Sequence, residues 1–243
     1  DADCNMVTGL YVNSLGNIYY AGTDGKLVSS SWVTASGNKY YIGSAWKALT
    51  GIQTISDSKY YLGDDGIMQT GLIEASDGKL YFANTNGTLL KSSWKNYGTK
   101  RYYFGSSNYA LTGGTWLIGG ARYYFDTDCN MVKGLYVNPA GKKYYANSDG
   151  TLYKSQWLTY NGARYYFGSS WYALTGGTWI IDGNRYYFDT ECNMVVGLYQ
   201  NPSGKFYYGN ADGVLAKNEW IEVDGYWYYF GPSWYALAGG PTE

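Results

Sequence analysis

The side chains best equipped for chemistry in this 243-residue chain are rings, 31 Tyr, 10 Trp and 7 Phe, and there is no His. A ring face packs against the C–H face of a sugar, and its quadrupole attracts an organic cation, so this inventory points to binding rather than bond making. Trp46, Trp171 and Trp234 stand in copies of one bend; Tyr172 and Tyr235 follow the last two, and in a fourth copy Tyr109 follows Asn108. A large ring on an exposed bend adds nothing to a core, so these six lead the candidates for ligand contact. Trp32, Trp94, Trp157 and Trp220 each precede a tyrosine pair by eight residues, and Trp116 and Trp179 each follow Gly-Gly-Thr. These rings are ligand candidates as well, with an alternative role as staples between neighbouring repeats.

Other chemistries find little support. An enzyme brings groups of distinct roles to one site, whereas this chain has no His, no Gly-rich phosphate loop and carboxylates scattered over turns, so it reads as noncatalytic. Cys4, Cys129 and Cys192 share one repeat position, with Gly66 in the fourth copy. Each thiol is solitary, which argues against a metal site, and equivalent positions a superhelical turn apart lie beyond the ~7 Å reach of a disulfide. They read as small thiols filling a turn. Asp24-Gly25, Asp65-Gly66, Asp149-Gly150 and Asp212-Gly213 lack the alternating ligands of a calcium loop and read as structural turns. No metal or other cofactor is expected. A net charge of −1 with no basic cluster gives no electrostatic footprint for nucleic acid. No stretch approaches the ~18 apolar residues of a membrane span.

The elements that position these rings are legible from the period. An aromatic pair recurs eleven times from Tyr19-Tyr20 to Tyr228-Tyr229, ten times as Tyr-Tyr and once as Tyr81-Phe82, at steps of 21 residues with one of 20. That period leaves room for two five-residue strands and two turns, one β-hairpin per repeat. Ser36-Gly37, Asp77-Gly78, Asn161-Gly162, Asp182-Gly183 and Asp224-Gly225 each sit just before the aromatic strand and supply the turn. A lone hairpin is marginal in water, so the array depends on stacking. Gly71, Gly134 and Gly197 are 63 residues apart, so three hairpin types alternate, in super-units of approximately 9–70, 71–133, 134–196 and 197–240. The segment from Asp1 to Val7 matches that from Asp126 to Val132 without its preceding strand. The expectation is a single array, 1–243, cut from a longer protein whose signal peptide or catalytic domain lies elsewhere.

The succession Trp, Asn/Asp-Gly, Tyr-Tyr-Phe, then Leu or Met with Thr-Gly, as in Trp157 through Gly176 and Trp179 through Gly197, resembles the cell-wall-binding repeat superfamily over essentially the whole chain. That superfamily includes choline-binding, glucan-binding and clostridial-toxin repeats. The resemblance implies an all-β solenoid of stacked hairpins wound as a left-handed superhelix, each hairpin rotated by about a third of a turn, with ligands caged between neighbours. It also implies a secreted or cell-surface protein. Choline-binding repeats carry Trp before the Tyr-Tyr pair, and here that position holds Lys or Arg in seven repeats, with Trp at Trp227. A guanidinium adds nothing to a cage for a quaternary ammonium, so the leading expectation is a carbohydrate-binding module for an α-glucan or surface glycan. Attachment to choline-substituted wall polymer is the alternative, with Trp227 as the place where a choline site survives. A structural spacer or self-associating stalk is a further one.

Overall fold

The computed structural model describes residues 6–240, in which every regular element is a β-strand. Among them are eleven separate antiparallel sheets, ten of two strands and a last one that gains a third strand, Ala236–Gly239. No helix of the described residues is long and apolar enough to cross a membrane. Cys4 lies outside the described residues.

Turn chemistry explains the hairpins. In most two-residue loops both residues take positive φ, as at Asn161 (50°) and Gly162 (80°), the mirror-image turn whose twist matches that of the strands it joins; in Gly98-Thr99 only Gly98 does (60°). Hairpins 9–21, 71–83, 134–146 and 197–209 differ, with four-residue strands joined across a five-residue loop. Asp77-Gly78 belongs to one of these longer loops: Gly78 N donates to Ala75 O (2.9 Å) and Lys79 N to the Asp77 side chain (3.0 Å). The uniform five-residue strand expected from the period is thus corrected in four hairpins.

The second strand of each hairpin carries the core. Phe104, Phe125, Phe167, Phe188 and Phe230, each just after a tyrosine pair, are 0% exposed. The first tyrosine of a pair lies two residues earlier, hence on the same face, and is buried at Tyr40, Tyr102, Tyr165 and Tyr228. Burying each phenylalanine contributes about 1.5–3 kcal/mol. The second tyrosine projects to the other face, where Trp157 stands opposite Tyr166.

Successive hairpins are joined by backbone as well as by rings. After each aromatic strand the chain folds back along its edge, as where Phe167 bridges Ala173 and Phe188 bridges Met194. The same segment donates to an earlier hairpin: Ala173 N to Lys143 O (2.8 Å), Met194 N to Arg164 O (2.7 Å) and Leu215 N to Arg185 O (2.8 Å). The acceptor is always the residue before an aromatic pair, so an edge carbonyl that would otherwise be unpaired is satisfied by the next turn of chain. Met68 and Met194 lie over Gly87 and Gly213, where an added Cβ would meet the methionine sulfur at 2.2 and 2.4 Å. The chain falls into two compact units. One holds the chain up to Gly114 with Phe125–Met131, the other Thr115–Tyr124 with the chain from Val132 onward.

Candidate functional site

In the second unit two bends build the same recess. Trp171 has left-handed backbone, φ 67°, stabilised by Gly168 N donating to Tyr172 O (3.0 Å) and Trp171 N to Gly168 O (3.1 Å). Its ring and that of Tyr172 pack against a cluster that includes Tyr124 and Tyr144. The Arg122 guanidinium lies 4.3 Å and Lys154 Nζ 4.7 Å from the Trp171 centroid, with Lys142 Nζ 4.5 Å from that of Tyr172. Trp234 repeats this, with Arg185 at 4.1 Å and Lys217 at 4.4 Å, and Lys205 4.2 Å from Tyr235. Nη1 of each arginine donates to a threonine hydroxyl, Arg122 to Thr115 (3.1 Å) and Arg185 to Thr178 (2.9 Å). Nε of each is buried with no acceptor, an orphan donor at equivalent places in two repeats. Each recess therefore combines ring faces, three cations and an unsatisfied N–H.

The bend rings were expected on an exposed surface. Trp46 meets that expectation at 51% exposed. Trp171 and Trp234 do not: they are half-buried, because the preceding hairpins supply both a packing surface and the cations. Tyr109 takes Lys79 Nζ at 5.1 Å and Tyr81 at 6.3 Å.

Three of the strand-opening tryptophans are staples. Trp32 packs edge-on against Tyr41 of its own hairpin (5.2 Å) and Tyr60 of the next (4.9 Å). Trp157 does the same with Tyr166 (5.0 Å) and Tyr186 (4.9 Å), and Trp94 reaches Phe125 at 5.9 Å. Each is topped by the cation before its own tyrosine pair: Lys39 at 5.7 Å from Trp32, Arg101 at 4.3 Å from Trp94 and Arg164 at 4.4 Å from Trp157. Trp116 and Trp179, displaced by one residue, project to the opposite face and are 41% and 42% exposed.

The hairpin 219–230 breaks this pattern. Trp220 stands opposite Tyr229, and Glu222 opposite Trp227, so all four side chains share one face. Trp227 occupies the place of Arg101 and Arg164, leaving two tryptophans, each 54% exposed, beside a carboxylate.

Three of the Asp-Gly turns are committed to the scaffold. Asp24, Asp65 and Asp149 accept the backbone N–H of Lys26 (3.1 Å), Ile67 (3.0 Å) and Thr151 (2.9 Å). Among the described residues no group of three or more His, Cys, Asp or Glu is placed to hold a metal. Cys129 and Cys192 are free thiols, and burial pushes both above the usual thiol range, away from the reactive thiolate. Burial likewise raises the Tyr144 and Tyr207 phenols, with smaller contributions from neighbouring tyrosines.

Two family models match the sequence: a choline-binding repeat over residues 49–94 and 111–157, and a putative cell wall binding repeat over 30–45, 155–170 and 218–233. The chain belongs to the cell-wall-binding repeat superfamily. Comparison with curated proteins finds no match. Among solved structures it is similar to CbpJ from Streptococcus pneumoniae TIGR4, at 20% identity and TM-score 0.59, over 95% of this chain and 94% of that one. It is also similar to choline binding protein F from Streptococcus pneumoniae, at 23% identity and TM-score 0.58, over 95% and 92%. The modular autolysin LytC of the same organism, in complex with a synthetic peptidoglycan ligand, gives 23% identity and TM-score 0.61, over 95% of this chain and 53% of that chain. These likenesses establish the hairpin-repeat fold.

Within the superfamily, what the sequence reading missed was where the cations go. Lys or Arg before a tyrosine pair was read as a missing ring; it is also a cation on a ring. Lys142, Lys154 and Thr115, with their counterparts Lys205, Lys217 and Thr178, were detectable as side chains repeating at 63 residues. Glu222 gave no such signal.

Proposed function

We propose that this chain is a noncatalytic module that fastens an attached domain to a bacterial cell wall, and that choline substituents of a wall polymer are the ligand. The observation that carries this reading is the face of hairpin 219–230, where Trp220, Trp227 and Tyr229 stand with Glu222. A quaternary ammonium gains from several ring faces and from a carboxylate, and here no cation of the protein stands where Arg164 stands on Trp157. The family matches favour the same ligand over the α-glucan or surface glycan expected from sequence. The place of work is the cell surface. Titrating the protein with choline and following tryptophan fluorescence tests the site: wild type responds at about millimolar concentration, and Trp227→Arg, which restores the residue of the sister hairpins, does not. An equal response in that variant, or none in wild type, overturns the assignment.

A second reading concerns the recesses at Trp171 and Trp234. Their ring faces already carry the protein's own cations, while the buried Arg122 and Arg185 Nε atoms lack acceptors. Choline would bring a further cation to rings that already carry two, whereas a neutral sugar brings hydroxyls and no charge, so these recesses suit the glycan of the wall. Soaking crystals with wall oligosaccharides and with choline separates the two kinds of site.

A further inference from the structure

Four copies of one bend carry Trp46, Asn108, Trp171 and Trp234 at the same position, and Asn108 alone brings no ring. The backbone is unchanged, φ 71° at Asn108 against 67° at Trp171 and 65° at Trp234. What changes is the space. The Asn108 amide turns inward and donates to Leu90 O (3.1 Å) and Leu89 O (3.4 Å), so it does not reach where the indole would lie. A cavity of about 370 Å³ is left, with Asp57, Ser58, Lys59, Thr88 and Lys91 in its wall beside Asn108. That volume falls within the range of small-molecule sites.

The cations of the recess are kept although the ring is gone. Lys59 and Lys91 correspond, 63 residues earlier, to Arg122 and Lys154 around Trp171. Asp57 also lines the cavity and makes no ion pair with either ammonium among the described residues. Two ammonium groups beside a polar hollow favour an anion. A second feature marks the same place. Ser56 and Asp57 make their two-residue turn at φ 46° and 64° without glycine, whereas the sister turns have Gly120 and Gly183 in the second position. A left-handed Asp, kept where Gly fits more easily, places a hydrogen-bond acceptor in the cavity wall.

We propose that this cavity binds a glycosyl unit carrying one anionic group, a carboxylate or a phosphate ester. The charge lies between Lys59 and Lys91, and the sugar hydroxyls meet Asp57, Ser58 and Thr88. This site is distinct from the choline face and from the ring-filled recesses. Isothermal titration calorimetry of the whole chain with glucose 6-phosphate, glucuronate and glucose tests it. At least one of the two anions binds, and glucose binds about tenfold more weakly or not at all; the phosphate and carboxylate arms tell which anion is preferred. Asn108→Trp, which returns the ring of the sister bends, and the double variant Lys59→Gln/Lys91→Gln each weaken the anion by about tenfold or more. The proposal is overturned if neither anion binds, if glucose binds as tightly as both, or if both variants bind the anion as wild type does.

Discussion

The Arg185 guanidinium lies 4.1 Å from the centroid of the Trp234 ring, and Arg122 stands at 4.3 Å from Trp171. An internal cation on a ring is worth about 0.5–2 kcal/mol, and a ligand cation must displace it before using that face. On the proposed reading these cations disfavour choline at two of the three bend tryptophans that the bare sequence presents as its best candidates. Arg185→Met removes one of the two cations on Trp234 and leaves Lys217 at 4.4 Å: the choline-dependent fluorescence change of the ring increases, and stability falls by about 1–2 kcal/mol with the cation contact and the Thr178 hydrogen bond. A choline response identical to wild type would show that the guanidinium does not guard the ring.

Trp171→Asn installs the residue that the chain itself carries at position 108. The ring is half-buried among tyrosines, so its loss costs about 1–3 kcal/mol by chemical denaturation. Trp220→Ala, at a ring 54% exposed, costs less than about 1 kcal/mol. A reversal of that order would mean that the packing roles are assigned to the wrong rings.

Gly213→Ala is expected to be more destabilising than Gly141→Ala. Both glycines have positive φ, 84° and 75°, but a Cβ at 213 meets the Met194 sulfur at 2.4 Å and one at 141 meets nothing within 4 Å. The left-handed backbone costs each about 1 kcal/mol, and displacing the flexible Met194 side chain adds about 1 kcal/mol at position 213 alone. Equal unfolding midpoints for the two variants would remove the methionine-on-glycine contact from the account.

Alkaline pH weakens the fold. Burial, and then the hydrogen bond to Asp77 (3.1 Å), push the Tyr81 phenol from 10.0 up to about 12. The unfolded chain releases this proton first, so the stability it contributes is intact below pH 10 and is lost as pH rises towards about 12. Spectrophotometric titration of tyrosinate shows a late-titrating fraction that Tyr81→Phe reduces; a single transition near the ordinary tyrosine range in both proteins refutes it.

Much of this was legible in the sequence. The Tyr-Tyr beat and the Asn-Gly and Asp-Gly turns announced eleven hairpins, because turn geometry and side-chain alternation are local properties. The resemblance carried by Trp157 through Gly176 led to the right superfamily. What was not legible depends on contacts between distant repeats. Nothing near Arg122 in the chain says that it reaches Trp171, 49 residues on, and nothing at Asn108 says that its missing ring leaves two lysines around a cavity. The preference for glucan came from reading each Lys or Arg as a lost cage wall, without seeing that Trp220, Glu222, Trp227 and Tyr229 share a face.

A binding isotherm on purified cell walls tests whether the protein attaches to choline on the wall. Wild-type protein should sediment with choline-containing walls, be released by free choline, and leave choline-free walls with a large loss of affinity, while Trp227→Arg resembles wild type on choline-free walls. Equal binding to both kinds of wall, unaffected by free choline, would contradict the account.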